Sequence, residues 1–218
     1  MSAKKYLPIM LDCSGRSCLV IGGGAIAERR VLALLEAEAR VTLISPEVTE
    51  ELSRRLQSEQ IIWLQRSYKQ GDVAGAFLVY AATSDQQLNN EIAEEASRMG
   101  VLLVNVSSDG ERGSFIQPSA FRRGYLQIGV STGGASPGLA ADICTQLEEV
   151  YGEEYEQYLD FLYEMRREIK LQVKTPALRV KLIKRLRQMD LLDAFRQGTH
   201  QAWTKEQITN WITHNQGE

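Results

Sequence analysis

The stretch CLVIGGGAIA, residues 18–27, joins an apolar run to a glycine triplet and then to the start of a helical pattern. Its spacing fits G-x-G-x-x-A: Gly22 permits a tight turn, Gly24 lets the backbone approach a pyrophosphate, and Ala27 lets the helix pack against the strand. Unbonded N–H groups at the start of such a helix face the anion. Glycine triplets also make ordinary turns, but strand, turn and helix in this order predict dinucleotide binding. The predicted contacts are Gly22, Gly23, Gly24, Ala25 and Ile26.

Short apolar runs alternate with helical patterns from this stretch to about residue 113. The predicted strands are Cys18–Ile21, Val41–Ile44, Ile61–Leu64, Phe77–Ala81 and Val101–Val106. The predicted helices between them are Ala25–Ala37, Val48–Ser58 and Asp85–Met99. Several strands are apolar at consecutive residues, which is typical of a sheet covered on both faces. The alternation therefore predicts a doubly wound parallel sheet.

The pattern changes after a further predicted strand, Tyr125–Ser131. Ser136 followed by Pro137 is typical of a helix start, and this helix is expected to run to about Tyr151. Four more helices are predicted at Glu153–Gln172, Pro176–Met189, Leu191–Gln197 and Lys205–Asn215. We predict an α/β fold with a Rossmann-type parallel sheet (1–113), a connecting and dimerisation region (114–147) and a helical C-terminal domain (148–218).

The composition indicates a soluble globular protein, with 44% hydrophobic and 24% charged residues. A net charge of −3 favours neither nucleic acid nor a membrane surface as a partner. The three cysteines lack CxxC spacing, which argues against a zinc cage and fits a reducing compartment. No signal peptide is recognisable, and no apolar run approaches the ~20 residues that span a bilayer. We expect a cytoplasmic protein.

Three further segments follow strands at the edge where open α/β sheets bind ligands. The second strand ends at Ser45, Pro46 and Glu47, about twenty residues after the glycines, where a ribose-binding acid is expected. Glu47 either fills that role or favours the start of the next helix. Because no arginine follows it directly, NAD is preferred to NADP. The fourth and fifth strands contribute the remaining candidate cofactor contacts, Ala82, Thr83, Asn105 and Val106.

Four segments together resemble one known family. They are residues 6–47 (YLPIMLDCSGRSCLVIGGGAIAERRVLALLEAEARVTLISPE), FLVYAATSDQQLNNEIAEEA, VNVSSDGERGSFIQPS and GVSTGGASPGLA. In this order they resemble the precorrin-2 dehydrogenase/sirohydrochlorin ferrochelatase family. The resemblance implies NAD-dependent oxidation of precorrin-2 to sirohydrochlorin, a tetrapyrrole with many carboxylates, and a homodimer. No uroporphyrinogen methyltransferase domain follows, so the chain is similar to the stand-alone dehydrogenases.

Two positions depart from the family pattern. The family often has two aspartates, three and four residues after the asparagine that matches Asn105; here they are Ser108 and Asp109. The first aspartate is usually assigned the catalytic role, so this role falls on a serine. Glu38 replaces a glycine usual at a helix end, which costs stability if the residue is left-handed.

The chemistry needs a proton acceptor beside the hydride acceptor, and the only histidines, His200 and His214, lie near the C-terminus. Asp109, on a loop leaving the fifth strand, is the best remaining base, although Asp109-Gly110 also fits a plain turn. Ser108 is the second catalytic candidate. The loop with Ser131, Thr132 and Gly133 either presents hydroxyl and N–H groups to a substrate carboxylate or simply leads into the next helix.

Nine basic residues crowd the stretch 166–187, where they either steer an anionic substrate or form a solvated helix face. The apolar residues of the C-terminal helices predict a homodimer formed largely through residues after about 115. They are Leu159, Phe161, Leu162, Met165, Ile169, Leu182, Ile183 and Leu186.

Three other functions compete with a simple dehydrogenase. A bifunctional enzyme would also insert ferrous or cobaltous ion, but no metal-ligand spacing is present, so chelation rests on the resemblance. A non-catalytic NAD-binding sensor needs only the glycine turn. A short-chain dehydrogenase is disfavoured because no Tyr-x-x-x-Lys motif occurs.

Overall fold

The computed structural model describes residues 4–107, 112–189, 191–200 and 203–216. The chain packs into two compact units. The first, here called the sheet unit, comprises the chain up to Gln117 together with Gly133–Ala135. The second, the helical unit, comprises Pro118–Thr132 and the chain from Ser136 onward. The division into three parts at residues 113 and 147 stays a prediction.

The sheet unit contains five parallel strands in the order β3-β2-β1-β4-β5, as the alternation of the sequence predicts. The strands are β1 (Ser17–Ile21), β2 (Arg40–Ile44), β3 (Ile61–Leu64), β4 (Leu78–Ala81) and β5 (Leu103–Val106). The helices are α1 (Ala25–Glu36), α2 (Glu50–Gln57) and α3 (Gln86–Arg98). All eight elements match predicted ones, and most boundaries differ by one or two residues. The predicted Rossmann-type fold is confirmed.

Both faces of this sheet are buried, which explains its consecutive apolar residues. Val20, Leu43 and Tyr80 belong to the cluster that packs against α1 and α2. Ile21 and Val79, on the opposite face, pack against α3. The strand order reverses between β1 and β4, so the chain segments leaving these two strands diverge at the carboxyl edge. That edge is where open sheets of this kind bind ligands.

The helical unit begins with a two-stranded antiparallel hairpin, β6 (Ser119–Arg123) and β7 (Leu126–Val130). Strand β7 matches the predicted strand 125–131, whereas β6 was not predicted. Its sequence, SAFRR, lacks the apolar run of a buried strand, and its residues are exposed or half-buried. The turn between the strands places Gly124 at φ 54°, a left-handed conformation that favours glycine. Hairpin pairing, not apolar burial, therefore defines β6.

Among the residues described after the hairpin, five helices follow: α4 (Pro137–Val150), α5 (Glu154–Gln172), α6 (Pro176–Gln188), α7 (Leu192–Arg196) and α8 (Lys205–Gln216). The predicted start of α4 is confirmed, because the Ser136 hydroxyl accepts a hydrogen bond from the Leu139 N–H at 3.2 Å. The core of this unit packs α5, α6 and α8 through Met165, Leu182 and Ile212. Within the described residues, no helix is both long and apolar enough to cross a membrane.

Candidate functional site

The first two glycines of the turn are required by the fold itself. Gly22 is buried, has φ 118°, and donates its N–H to the Ile44 carbonyl at 2.9 Å. A Cβ at Gly22 would fall on the carbonyl of Ala82, and a Cβ at Gly23 would fall on that of Glu47. The turn leaving β1 therefore lies directly against the segments leaving β4 and β2. A side chain at either position would push these segments apart.

The third glycine is open on the side where a ligand would approach. A Cβ at Gly24 would meet no heavy atom within 4 Å, so this glycine is not needed for packing. Gly24 is the N-cap of α1 and provides no side-chain hydrogen bond, whereas Thr49 and Asp85 cap α2 and α3. The first N–H groups of α1 therefore lack a side-chain acceptor, and Ala27 packs fully buried beneath them. These features fit a pyrophosphate.

The segment leaving β2 is fixed by hydrogen bonds to its neighbours. The Ser45 hydroxyl donates to the Glu47 carbonyl, and the Trp63 indole donates to the Ser45 carbonyl at 2.9 Å. Pro46 and the Glu47 side chain are exposed. Thr49 caps α2 by accepting from the Leu52 N–H at 3.3 Å, so Glu47 is not its capping residue. The Glu47 carboxylate thus takes no part in the described capping contacts of α2, and Glu47 lies at the edge beside the glycine turn.

The segment leaving β4 is held by an asparagine that the sequence did not reveal. Asn89, fully buried on α3, accepts from the Thr83 N–H at 3.0 Å and the Thr83 hydroxyl at 2.8 Å. Its amide nitrogen donates back to the Thr83 carbonyl at 3.0 Å. The Ala82 N–H donates to the Ile21 carbonyl at 2.8 Å. This segment is therefore rigid where it faces the glycine turn. The sequence did contain one signal for this role of Asn89: a polar residue on the buried side of α3.

The end of β5 carries a buried amide with one free oxygen. Asn105 is 5% exposed; its nitrogen donates to the Phe115 carbonyl at 3.0 Å, while its Oδ1 has no hydrogen-bond partner among the described residues. Val106 packs in the core on the α3 face, so only its backbone is open to a cofactor contact. Ser108 and Asp109 lie outside the described residues.

The loop between β7 and α4 has a clear local function. The Thr132 hydroxyl donates to the Ser136 carbonyl at 2.9 Å and accepts from the Ser136 N–H at 3.0 Å, so it braces the start of α4. Ser131 is exposed. Gly133 has φ 64°, which favours glycine at that position. Of the three predicted substrate contacts, Thr132 is thus already engaged within the helical unit.

Neither histidine belongs to the sheet unit, and His200 packs in the helical core. Its ring stacks on Phe195 with centroids 3.8 Å apart, and burial lowers its pKa. Among the described residues, no group of three or more His, Cys, Asp or Glu side chains is placed to hold a metal ion.

Two family models match the chain. One, described as NAD(P)-binding, matches residues 9–119, and the other, described as sirohaem biosynthesis protein central, matches residues 123–148. The first covers most of the sheet unit, and the second covers β7 and most of α4.

Individual proteins are similar over longer stretches. The precorrin-2 dehydrogenase of Bacillus subtilis is 33% identical over 74% of this chain and 98% of its own length. That of Priestia megaterium is 37% identical over 72% of this chain and 77% of its own length. The siroheme synthase of Mannheimia succiniciproducens is 37% identical over 78% of this chain, which spans only 36% of that relative. The solved structure of SirC, precorrin-2 dehydrogenase, superposes with a TM-score of 0.75 and 30% identity, covering 98% of this chain and 100% of SirC.

Proposed function

The chain belongs to the precorrin-2 dehydrogenase family, and we propose that it oxidises precorrin-2 to sirohydrochlorin with NAD⁺ as the hydride acceptor. The observation that carries this proposal is coverage: the similarity extends over 98% of the Bacillus subtilis precorrin-2 dehydrogenase. The siroheme synthase match spans only about a third of its relative. The activity of a stand-alone dehydrogenase is therefore the one proposed.

The carboxyl edge of the sheet unit supplies the cofactor contacts in this proposal. Gly24 leaves room for a pyrophosphate beside the unbonded N–H groups of Ala25 and Ile26. Glu47 is proposed to accept a hydrogen bond from a ribose hydroxyl, and the absence of a following arginine favours NAD over NADP. When bound, NAD⁺ supplies the acceptor for the hydride. The segments after β2 and β4, which hydrogen bonds hold in place, are proposed to position it.

The remaining cofactor contacts are proposed on the same edge. Ser45 and Pro46 border the adenosine side through their backbone, because the Ser45 hydroxyl is committed to the Glu47 carbonyl. Ala82 and Thr83 follow β4, and Asn105 and Val106 end β5. We propose that these four border the nicotinamide side. The Thr83 hydroxyl already donates to Asn89, so Thr83 is proposed to border the cofactor through its fixed position more than through a free hydroxyl.

Asp109 is proposed as the acceptor of the proton that leaves with the hydride. In the sequence it follows β5, four residues after Asn105, and a carboxylate is a better base than a hydroxyl of ordinary pKa. Ser108 holds the position of the usual family aspartate and is the second candidate. On the substrate side, the Ser131 hydroxyl and the Gly133 N–H are proposed to bind a carboxylate, with Thr132 keeping the loop in shape.

An anaerobic assay tests the proposal directly. The full-length protein is incubated with precorrin-2 and either NAD⁺ or NADP⁺, and reduced cofactor and sirohydrochlorin are followed by absorbance. We expect equal amounts of both products with NAD⁺ and slower turnover with NADP⁺. If the protein binds NAD⁺ but leaves precorrin-2 unchanged, the sensor alternative is correct instead.

Metal insertion remains the second candidate function, because siroheme synthases are among the similar proteins. Ferrous or cobaltous ion would then be a second substrate. Adding either ion after oxidation is complete tests this: enzyme-dependent loss of the sirohydrochlorin spectrum, faster than in a protein-free control, supports chelation. A rate equal to that control contradicts it.

We further propose a cytoplasmic homodimer. Most apolar residues that suggested a dimer, such as Met165 and Leu182, are buried within the helical unit itself. The dimer proposal therefore rests on apolar side chains of this unit that stay exposed: Leu139, Val150, Leu171 and Val180. Light scattering at micromolar concentration is expected to give twice the monomer mass of 24.5 kDa. The cytoplasmic location is supported by three free, buried cysteines.

A further inference from the structure

Arg30 on α1 is a partly buried cation without a carboxylate partner among the described residues. Its guanidinium carbon lies 5.5 Å from the centroid of the Tyr80 ring on β4. Its Nε is buried and has no hydrogen-bond partner in the described ranges of the chain. Burial lowers the pKa of this guanidinium, and neighbouring Arg29 lowers it further, while Tyr80 opposes the change. Since a charge removed from water is normally paired, the structure leaves an anion to be supplied.

Tyr80 does not supply that anion. Its hydroxyl donates to the Gln117 Oε1 at 2.6 Å, and burial raises the pKa of the phenol well above its ordinary value, so it stays neutral. Tyr80 contacts Arg30 through the face of its aromatic ring, which attracts a cation. The ring face accepts no hydrogen bond from the Arg30 N–H groups, which lie in the plane of the guanidinium. Arg30 is therefore positioned by the ring and keeps its capacity to donate hydrogen bonds.

A second unsatisfied group lies beside the same ring. Asn105 is the register partner of Tyr80 on the neighbouring strand, so both side chains project from the same face of the sheet. Within the part of the chain that the structure describes, its Oδ1 is buried without a partner, and so is the hydroxyl of Ser107, two residues further on. Buried polar atoms are nearly always hydrogen-bonded. Three such atoms, Arg30 Nε, Asn105 Oδ1 and Ser107 Oγ, lie around the ends of β4 and β5. They indicate a binding site in which a ligand supplies the missing hydrogen bonds.

We propose that Arg30 is a ligand-binding residue that receives an anionic oxygen, a carboxylate or a phosphate, near the carboxyl ends of β4 and β5. The two sources, a tetrapyrrole carboxylate and a dinucleotide phosphate, follow from the proposed function, on which this inference rests. The position favours the carboxylate. Gly24, where a phosphate fits, is six residues earlier on α1, about 9 Å along the helix axis, and the helix start already offers its own N–H donors there.

The test compares two adjacent arginines of one helix. Arg30→Met keeps an apolar stem on the Tyr80 ring but removes every donor, and Arg30→Lys keeps a cation without the planar fork. Arg29→Met is the matched control, because Arg29 is exposed and the same charge is removed. Dissociation constants for NAD⁺ and for sirohydrochlorin are measured separately by anaerobic fluorescence titration, with the melting temperature of each variant.

We expect Arg30→Met to weaken sirohydrochlorin binding about 10- to 100-fold, as for loss of a charged hydrogen bond, with a smaller loss for Arg30→Lys. NAD⁺ affinity and the Arg29→Met control should match the wild type. Weaker NAD⁺ binding with unchanged sirohydrochlorin binding also supports a binding role and assigns the anion to the dinucleotide. If both dissociation constants stay at the wild-type value in folded Arg30→Met, Arg30 only packs on Tyr80 and the inference is wrong.

Two further outcomes are decisive as well. If Arg30→Met does not fold, the comparison passes to Arg30→Lys, which retains the cation over the ring and must still weaken one of the two ligands. A wild-type protein that binds NAD⁺ but not sirohydrochlorin contradicts the proposed function. The NAD⁺ titration of the Arg30 variants then decides the inference by itself.

Discussion

In the sheet unit, three successive glycines meet two different requirements, whereas the helical unit depends on apolar residues that share one property, burial in a common core. Gly22 and Gly23 fit beneath backbone carbonyls, and Gly24 leaves an open position. In the helical unit, Met165, Ile169 and Leu182 are all fully buried in one core. Cores tolerate exchange among apolar residues of similar volume, but a carbonyl in van der Waals contact does not tolerate an added Cβ. The residues that cannot be exchanged, and that therefore mark function in the sequence, lie mainly in the sheet unit.

Charge is unevenly distributed along the helical unit. Within the helical unit, the stretch from Asp142 to Glu164 has eight carboxylates and no lysine or arginine. The next stretch, Arg166 to Arg187, has nine cations and one carboxylate. Such a separation of charge produces a long-range electrostatic field more than it produces specific contacts, and this field is screened by salt. The basic stretch either steers an anionic substrate or is a solvated helix face. Measuring the reaction rate at different ionic strengths decides between these two interpretations, whereas substituting any single residue does not.

The largest expected effect separates the two kinds of glycine. Gly22→Val combines a left-handed φ with a clash against the Ala82 carbonyl, and we expect it to cost about 4 kcal/mol or more of folding free energy. Gly24→Val meets open space in an extended backbone and should cost less than about 1 kcal/mol. It should nevertheless weaken NAD⁺ binding by at least about 100-fold, because the side chain fills the pyrophosphate position. Urea unfolding and NAD⁺ titration measure the two effects.

Either of two results would break this distinction. Unchanged NAD⁺ affinity in folded Gly24→Val would remove the cofactor site from the glycine turn. Equal destabilisation by both substitutions would mean that Gly24 is also required for packing.

The next largest effect concerns the residue that accepts the proton. Asp109→Asn preserves size but removes the base, and turnover should fall by roughly 10²–10⁴ with NAD⁺ affinity little changed. Ser108→Ala should be mild, since a hydroxyl of ordinary pKa is a poor base. Steady-state kinetics under anaerobic conditions separate the two, with Ser131→Ala in the helical unit for comparison. We expect Ser131→Ala to raise KM more than it lowers kcat.

The opposite pattern, a large loss in Ser108→Ala, would place the reactive geometry on the serine, with a bound water as the base. If both variants keep wild-type turnover, catalysis rests on positioning the substrate against the cofactor, and solvent takes the proton.

The residues of the sheet unit also show what the sequence could predict. Its five strands follow from apolar runs and its cofactor edge from the glycine spacing, because both are local patterns. Asn89 and Arg30 were missed because their roles depend on contacts with Thr83 and Tyr80, which lie elsewhere in the chain. Strand β6 was missed for a related reason, since its pairing with β7 is not visible in its own composition. Local periodicity predicts elements, but not which polar residues meet between them.

A third prediction tests whether the helical unit has a core of its own. Leu182 is 0% exposed, and Leu182→Ala should cost about 2–5 kcal/mol. Lys181, one residue away and exposed, is the control, and Lys181→Ala should lose little stability. Tryptophan fluorescence reports on both units, through Trp203 and Trp211 in one and Trp63 in the other. NAD⁺ affinity should not change in either variant; a parallel loss would show that the sheet unit depends on the helical core.

The smallest effect concerns three helix ends in the sheet unit that share one geometry. After α1, α2 and α3 the chain passes through left-handed Glu38 (φ 57°), Glu59 (φ 55°) and Gly100 (φ 77°). The following N–H then bonds back to the helix in each case; after Glu38, the Ala39 N–H donates to the Leu34 carbonyl at 3.0 Å. Only the third end has the glycine that this conformation favours. The left-handed conformation on which the predicted cost of Glu38 depends is thus present, and the cost itself stays a prediction.

Glu38→Gly should therefore stabilise the protein. Relief of the left-handed strain contributes about 1–2 kcal/mol, and the greater freedom of glycine in the unfolded chain offsets about 0.5–1 kcal/mol. Loss of the hydrogen bond from the Ser14 hydroxyl, 3.1 Å at an exposed site, takes away little. We expect a net gain of about 0.5–1 kcal/mol, or roughly 1–4 °C in melting temperature. Gly100→Glu is the reciprocal control and should lower stability, since no atom crowds its Cβ position and only φ opposes it. A loss of stability in Glu38→Gly would mean that the Glu38 side chain contributes more than its backbone strain costs.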